Sequence, residues 1–240
     1  MRVALTSDIH AEFHSIASTI TFLKEVSVGA DVLVIAGDLG VGKANSAAYT
    51  PKVVSELGAI GIPIVLTLGN HDYWHASRDQ LIAAVRAACP PNVHLLQRNR
   101  VSIEGKVFAG TTLWFPWTWD AAQQENDWID FNRIQAPFDP YSENRIDWQY
   151  LTAGPADVIV THHLPCAEVV APAYANSSVN CYFVGGAAHQ VAEVQASVWC
   201  FGHTHTPFDG TLATGGPRLL CNPRGYPSEK NPCKAVLFEV

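Results

Sequence analysis

The N-terminal part of the chain alternates continuous apolar runs with segments of helical spacing. Three apolar runs have strand length and lead directly into polar loops: residues 2–6, 31–36 and 63–68. Three further segments have the spacing of amphipathic helices: residues 15–26, 47–59 and 78–88. Strands that alternate with helices in this way indicate an α/β fold, in which helices cover the faces of a mostly buried sheet.

The C-terminal part contains more strand-like runs, and these are shorter. They cover residues 93–96, 101–103, 107–109, 157–161, 197–201, 218–221 and 235–240, with a hairpin turn predicted at Glu104-Gly105. The stretch from about 115 to 152 has no clean period and is rich in Trp, Asp, Asn, Gln and Pro. We interpret it as a small inserted cap, because tryptophans favour burial and four lie between residues 114 and 128: Trp114, Trp117, Trp119 and Trp128. The pattern predicts one domain over residues 1–240 that carries this cap.

Composition and charge narrow the class of protein. Of the 240 residues, 48% are apolar and 15% are charged, which is typical of a well-packed globular protein. The net charge of -7 and the absence of any Lys or Arg run give no general attraction to nucleic acid. No apolar stretch approaches the ~18 residues of a membrane span, and the apolar N-terminus is too short for a signal peptide. The six cysteines form no CxxC motif, so we expect a cytoplasmic protein with reduced, structural thiols.

Residues that can bind a metal follow five of the strand-like runs. They are Asp8 and His10, Asp38, Asn70 and His71, His162 and His163, and His203 and His205. Each of them has an ordinary structural explanation when taken alone, since Asp8 could cap a helix and Asp38 or Asn70 could form a turn. In α/β sheets, however, ligand sites form beyond the carboxyl ends of strands, so these groups should converge. Five strand ends that all carry such residues favour a common functional site.

The series SDIH, GD, GNHD, THH and GHTH, in this order, resembles the calcineurin-like metallophosphoesterase superfamily. The resemblance runs from Asp8 to His205, and the ending CNPRGYP is similar to that of small prokaryotic members. It implies a four-layer α-β-β-α sandwich. The protein Ser/Thr phosphatases of this superfamily have GDxxDRG and GNHE, whereas this chain has GDLGVGK and GNHD, so a protein phosphatase is not expected.

The resemblance also implies a role for each motif residue. Asp8, His10 and His205 would bind a first metal ion, and Asp38 would bridge it to a second ion held by Asn70, His162 and His203. His163 is the alternative ligand within THH and a candidate substrate contact. His71 would lie outside the metal shell and protonate the leaving oxygen or stabilise developing charge, with Asp72 orienting its ring.

These residue types suit dinuclear hydrolysis of a phosphate ester. A carboxylate can bridge two cations ~3.5–4 Å apart, and two ions together lower the pKa of a shared water. Neutral imidazoles and an Asn oxygen add ligands without adding charge, and the mixed donor set favours Mn, Fe, Zn, Ni or Co over Ca. The predicted reaction is attack of metal-bound hydroxide on a phosphate mono- or diester, without a covalent intermediate.

The sequence indicates the type of reaction more specifically than it indicates the substrate. We expect a small-molecule phosphate ester or a nucleotide; a nuclease of the same chemistry and a non-catalytic metal-binding scaffold are the alternatives. Arg224 is a candidate bidentate clamp for phosphate. The Trp-rich stretch would either roof the active site or form the core of the cap.

Overall fold

Two stacked β-sheets form the centre of the molecule, which is described here from a computed structural model of residues 1–44, 47–229, 231 and 235–240. The strands are β1 (Arg2–Thr6), β2 (Val32–Ala36), β3 (Lys43–Ala44), β4 (Ala47–Ala48), β5 (Ile64–Thr67), β6 (Val93–Leu95), β7 (Asn99–Ile103), β8 (Lys106–Gly110), β9 (Val158–Val160), β10 (Val198–Phe201), β11 (Phe208–Gly210), β12 (Arg218–Cys221) and β13 (Val236–Glu239). The helices are α1 (Ile16–Val26), α2 (Thr50–Glu56), α3 (Asn70–Tyr73), α4 (Arg78–Ala88), α5 (Trp119–Gln124), α6 (Ile129–Arg133), α7 (Pro140–Thr152) and α8 (Ala188–Glu193).

Each sheet has a parallel centre. The first has the order β13-β1-β2-β5-β6, in which only β13 is antiparallel to its neighbour. The second has the order β11-β12-β10-β9-β8-β7, with β8, β9, β10 and β12 parallel. Because the central strands of a sheet run the same way, their carboxyl ends share one edge, where the loops can meet.

Three apolar cores hold four layers together. Alternate side chains of the first sheet, such as Leu5 and Val34, pack between the sheets against Val160 and Cys200. The opposite face of the first sheet packs under α1, α2 and α4, and the opposite face of the second sheet packs under α7 and α8. Both faces of each sheet are therefore buried, which explains the continuous apolar runs of its central strands. The predicted α/β class and α-β-β-α layering are confirmed.

Most predicted elements are present, with one helix corrected. The helix predicted over residues 47–59 is wrong at both ends, because Ala47–Ala48 forms β4 and Leu57–Ile60 continues α2 as a 3₁₀ helix. Pro51 lies in the first turn of α2, a position that suits its fixed φ and missing N–H, so the helix begins at Thr50. Gly61, with φ of 86°, ends the segment. The pattern also missed β11, α8 and the helices of the Trp-rich stretch.

The stretch from 115 to 152 forms α5, α6 and α7. Trp148 and Leu151 of α7 pack on the outer face of the second sheet. α6 contacts α3 instead, next to one of the predicted metal-binding motifs. Burial of all four tryptophans is wrong, since Trp117 and Trp119 are 59% and 67% exposed, whereas Trp114 is buried. A separate cap unit stays a prediction.

Cys89, Cys166, Cys181 and Cys200 are free thiols. Cys233 lies outside the described residues, so the prediction that all six cysteines are reduced stays a prediction. Among those residues, no helix combines the length and the apolar character that crossing a membrane requires.

Candidate metal centre

All seven predicted ligands lie at one edge where the carboxyl ends of both sheets meet. They follow β1, β2 and β5 of the first sheet and β9 and β10 of the second: Asp8, His10, Asp38, Asn70, His162, His203 and His205. Nitrogen and carboxylate oxygen atoms approach within 4.8 Å of one another in three groups: Asp8, His10 and His205; His10, Asp38 and His71; and Asp38, His162 and His203. The sheets thus bring together residues that are far apart in the sequence.

The Asp38 carboxylate lies between the contributions of the two sheets. Its Oδ1 is 3.4 Å from His162 Nε2, and its Oδ2 is 3.9 Å from His10 Nε2. Oδ1 also accepts a 2.9 Å hydrogen bond from the backbone N–H of His71. Since each oxygen faces a different imidazole, this one side chain has the orientation that a bridging ligand needs.

Three imidazoles are held so that Nε2 faces the cluster. His162 Nδ1 donates to the carbonyl oxygen of Ala36 at 3.0 Å, which leaves the lone pair on Nε2. His10 Nδ1 lies 3.2 Å from Glu12 Oε1, and His205 Nδ1 lies 2.8 Å from Glu229 Oε2. Such backing by a carboxylate or carbonyl is the usual surrounding of a metal-binding His, because it fixes the tautomer and the ring orientation.

Other donor atoms converge on the same space. His10 Nε2 and His205 Nε2 lie 3.1 Å apart, and Asn70 Oδ1 lies 3.1 Å from His162 Nε2. His203 Nε2 is buried and has no hydrogen-bond partner among the described residues. A buried polar atom without a partner is costly, and a cation would satisfy it. The donor set therefore fits divalent metal ions.

The buried carboxylate and imidazole groups of the cluster shift one another's pKa. Burial alone would raise the pKa of Asp38, but the charges of His162, His71 and His10 outweigh it and hold that pKa well below its usual range. Burial opposes protonation of His162 as well, yet the charge of Asp38 raises the pKa of His162 to about 9. A metal ion would replace this proton, because it supplies the same positive charge to Asp38 and needs the Nε2 lone pair.

The backbone of the cluster adopts an uncommon conformation. Asp8, His10, Asp38, His203 and His205 all have φ between 47° and 68°, the left-handed region that non-glycine residues rarely adopt. Such backbone persists where surrounding structure determines it and concentrates at functional sites. Each loop thereby turns sharply and directs its ligand toward the cluster.

Glycines in the motifs allow the loops to approach closely. A Cβ atom on Gly69 would lie 2.1 Å from Asp38 Oδ1 and 2.7 Å from His162 Cε1. A Cβ atom on Gly37 would lie 2.3 Å from His162 Nδ1. The glycines of the GD and GNHD motifs are therefore required because a ligand side chain occupies the space of a methyl group.

His71 lies beside the cluster, and one of its ring nitrogens belongs to one of the three groups, so its place outside the metal shell stays a prediction. Its ring stacks on Trp74 with 3.5 Å between centroids, and Tyr226 Oη lies 3.2 Å from His71 Nε2. The nearest carboxylate oxygen among its ion-pair contacts is Glu12 Oε1, 3.8 Å from Nδ1.

The orienting role assigned to Asp72 is wrong. Its buried carboxylate accepts hydrogen bonds from the backbone N–H groups of Leu39, Gly40 and Gly69 and from the hydroxyl of Thr50, rather than from the His71 ring. The first turn of α3 directs Asp72 back toward its own N-terminus, so that it braces the Asp38 loop against the Asn70 loop. Burial, followed by the charge of Asp38, raises the pKa of Asp72 to about 7.

The two candidate substrate contacts, His163 and Arg224, both contact other parts of the protein. His163 is fully buried, with Nδ1 3.3 Å from the Thr112 carbonyl oxygen, and burial followed by the charge of His162 lowers its pKa to about 3. Arg224 places its guanidinium 4.2 Å over the ring of Phe22 on α1. Neither residue lines the cavity above the cluster, and contact of either one with a substrate stays a prediction.

A cavity of about 480 Å³ opens over the cluster. Asp38, Asn70, His203 and His205 contribute to its floor, and His71 and Tyr226 lie beside them. Of the four tryptophans between residues 114 and 128, only Trp128 lines it. Tyr226, which the sequence analysis did not single out, stacks on His10 at 4.4 Å and contacts His205 edge-on at 4.7 Å.

Asp130 of α6 is a second residue that was missed. Its fully buried carboxylate accepts from Asn70 Nδ2 at 3.0 Å, from Trp74 Nε1 at 2.7 Å and from Trp128 Nε1 at 3.0 Å. Asp130 therefore turns the side-chain oxygen of Asn70 toward the cluster. It also links Asn70 to Trp74, which stacks on the His71 ring, and to Trp128 in the cavity wall. Asp130 lies 60 residues beyond Asn70 in a stretch without a clear pattern, so no local signal identifies it.

Comparison with known proteins identifies the family of this chain and structures with a similar fold. A family model described as Calcineurin-like phosphoesterase matches residues 1–207. The structure is similar to that of Phosphopantetheinyl Hydrolase (PptH) from Mycobacterium tuberculosis, with a TM-score of 0.71 and 14% sequence identity over 96% of this chain and 93% of that chain. A dimetal phosphatase from Danio rerio gives a TM-score of 0.54 and 13% identity over 92% of this chain and 86% of that chain. At such identities the likeness shows the fold alone. No curated protein sequence matches the chain.

Replacing Asp130 with Leu should destabilise the fold, because three buried N–H groups lose their acceptor. Each unsatisfied group costs about 1–3 kcal/mol, and loss of the buried carboxylate offsets part of this, so we expect a net decrease of roughly 2–4 kcal/mol. Urea unfolding in the presence of EDTA measures the free energy independently of metal. Asp127→Leu, at an exposed position nearby, is the control and should change stability by less than about 0.5 kcal/mol. Equal stability of the two variants would contradict the role of Asp130.

Proposed function

This chain belongs to the calcineurin-like phosphoesterase family, whose members are metal-dependent phosphoric ester hydrolases, and on that premise we propose that it works with two divalent ions. The observation that carries the proposal is the position of Asp38, whose two oxygens face imidazoles from different sheets. The first ion would be held by Asp8, His10 and His205, and the second by Asn70, His162 and His203. Asp38 would bridge them.

The donor atoms support a mixed nitrogen and oxygen site for Mn, Fe, Zn, Ni or Co. Asp8 is fully buried and accepts from the backbone N–H of His203 at 3.0 Å and from Ser7 Oγ at 2.5 Å, which fixes its carboxylate before any metal binds. Asp38 is fixed by the backbone of His71 in the same way. Preorganised ligands of this kind lower the cost of assembling the site around an ion.

When bound, two ions would supply an activated water and neutralise charge on the phosphoryl oxygens. In the hydrolysis, the bond from phosphorus to the leaving oxygen breaks, a bond from phosphorus to the water oxygen forms, and the leaving oxygen gains a proton. We assign the delivery of this proton to His71, which lines the cavity beside the cluster. Trp74 and Tyr226 hold its ring, and burial, followed by the charge of Asp38, raises the pKa of Tyr226, so its hydroxyl stays protonated.

A small-molecule phosphate mono- or diester is the substrate class that we propose. The cavity is closed by side chains on several sides and has the volume of a small-ligand site. A net charge of -7 does not favour a nuclease, since polyanion binding depends on cationic surface. Metal analysis combined with a panel of phosphate mono- and diesters tests the function: metal-dependent turnover of at least one small ester is expected, and a chain that binds metal but hydrolyses none would contradict it.

Asp38→Asn should lose more metal than any other single substitution, because its two carboxylate oxygens face imidazoles from both proposed groups of ligands. We expect about two divalent ions per wild-type chain and less than one in Asp38→Asn, measured by plasma mass spectrometry after dialysis. Asp8→Asn should lose about one ion, and Asp79→Asn, whose side chain is 87% exposed, should lose none. Two ions retained in Asp38→Asn would contradict the bridging role.

His71→Ala should lower turnover by roughly 10²–10⁴-fold, the usual contribution of a general acid, while both ions remain bound. The loss should be smaller for p-nitrophenyl phosphate than for an alkyl phosphate, because p-nitrophenolate leaves without protonation. A loss of metal together with activity would instead make His71 a ligand, as its proximity to His10 and Asp38 allows. Retention of both activity and metal would place the acid elsewhere.

A further inference from the structure

The cavity above the candidate metal centre is larger than a phosphate group requires. Its volume of about 480 Å³ lies within the range of roughly 300–1,000 Å³ that encloses most of a small organic ligand. The phosphoryl group would occupy the floor, close to Asp38 and His203. The remaining volume is therefore available to the leaving group of the ester.

Most of the wall around this remaining volume is apolar, with Ser177, Asn180 and Thr204 as its uncharged polar residues. Trp128 and Ile129 lie on one side, and Leu164, Val179 and Phe183 come from the segment between β9 and α8, which contains short 3₁₀ helices. The two walls touch each other, because Trp128 stacks on Tyr182 at 4.4 Å between centroids and meets Phe183 edge-on at 5.9 Å. They thus form one continuous surface of aromatic rings and aliphatic side chains.

Two of the apolar residues at the cavity are exposed to solvent. Ile129 is 38% exposed and Tyr174 is 56% exposed, and both line the same cavity from different segments. Single exposed apolar side chains are common, but a pair that flanks an apolar cavity is typical of a ligand-binding surface. An apolar ligand portion between them would remove their surface from water.

The described part of the chain contributes no Lys or Arg side chain to the lining of the cavity. Among the lining residues, Glu229, the charged side chain outside the proposed ligand set, bonds His205 Nδ1 and the Tyr226 N–H at 2.8 Å each. Arg133 lies over the Trp74 ring at 4.3 Å and does not line the cavity. A leaving group with further phosphates would bring negative charge against an apolar wall for which the described residues supply no Lys or Arg counter-ion, which is strongly unfavourable.

Given the proposed function, we infer that the substrate is a phosphate ester whose leaving group is uncharged and presents an aromatic or aliphatic surface. Trp128, Ile129, Val179 and Phe183 contact that surface, while the candidate metal centre receives the single phosphate. Esters of hydrophobic alcohols and phenols meet this requirement. Nucleoside di- and triphosphates and nucleic acids do not, because their leaving groups carry additional phosphates.

The substrate side of the test uses alkyl phosphates, which differ in apolar surface but hardly in leaving-group chemistry. Ethyl, butyl and hexyl phosphate are compared with the metal-loaded protein. Each added methylene should raise kcat/KM by about three- to fourfold, the fold-change that burial of one CH₂ gives, until the cavity is filled. Hexane-1,6-diol bisphosphate has the same chain as hexyl phosphate with a second charge at its end, and we expect its kcat/KM to be at least about tenfold lower.

The protein side of the test places a cation in the wall. Ile129→Arg should reduce the preference for hexyl phosphate over the bisphosphate by at least about tenfold, since the guanidinium can pair with the second phosphate. Ile146→Arg is the matched control, because Ile146 is 41% exposed on α7 and does not line the cavity; its preference should equal that of the wild type. Both positions are exposed, so folding should be retained, and circular dichroism checks this.

The outcomes separate this inference from the proposed function. Hydrolysis of every alkyl phosphate with the same kcat/KM, or a preference for the bisphosphate, would overturn the apolar leaving group and leave metal-dependent hydrolysis intact. An identical change of preference in both Arg variants would also overturn it, because a general charge effect would then explain the result. Absence of hydrolysis across all the esters by the metal-loaded protein would refute the proposed function itself.

Discussion

The structure depends on one constraint: loops from two separate sheets must deliver charged and polar side chains to the same few ångströms around Asp38. The oxygens of this carboxylate lie 3.4 Å from His162 and 3.9 Å from His10, which come from different sheets. A buried carboxylate is unfavourable unless positive charge compensates it. Imidazolium groups can do this in the absence of metal, as the raised pKa of His162 indicates, and divalent cations would do so more completely.

The rest of the fold makes this convergence possible. The apolar core between the sheets fixes their separation, and parallel strands place their carboxyl ends at one edge. Left-handed backbone at five of the seven proposed ligands and the absence of a side chain at Gly37 and Gly69 let the loops close on one another. Because these conformations are unfavourable locally, the packed sheets must stabilise them. The apolar runs of the sequence therefore form the packed sheets that hold the short polar motifs in their unfavourable loop conformations.

Local patterns in the sequence predict much of this arrangement. Continuous apolar runs identify the central strands because both faces of each sheet are buried, and the motif residues identify the cluster because each follows such a run. Long-range contacts carry no comparable signal. Asp130, Tyr226 and Glu229 support the site from segments without a clear period, and Arg224 lies close in sequence to a strand end yet packs on Phe22. Asp72 follows His71 directly in α3, but its carboxylate accepts hydrogen bonds from backbone N–H groups of the Asp38 and Asn70 loops and thereby braces these two loops.

The proposed role of Asp38 is to join two metal ions held by ligands from different sheets. Anomalous diffraction from crystals of the metal-loaded protein, recorded on both sides of the absorption edge of the bound metal, locates the ions directly. If Asp38 bridges them, two peaks should lie ~3.5–4 Å apart, one on each side of the Asp38 carboxylate. A single peak, or two peaks of which neither lies within bonding distance of Asp38, would contradict this role.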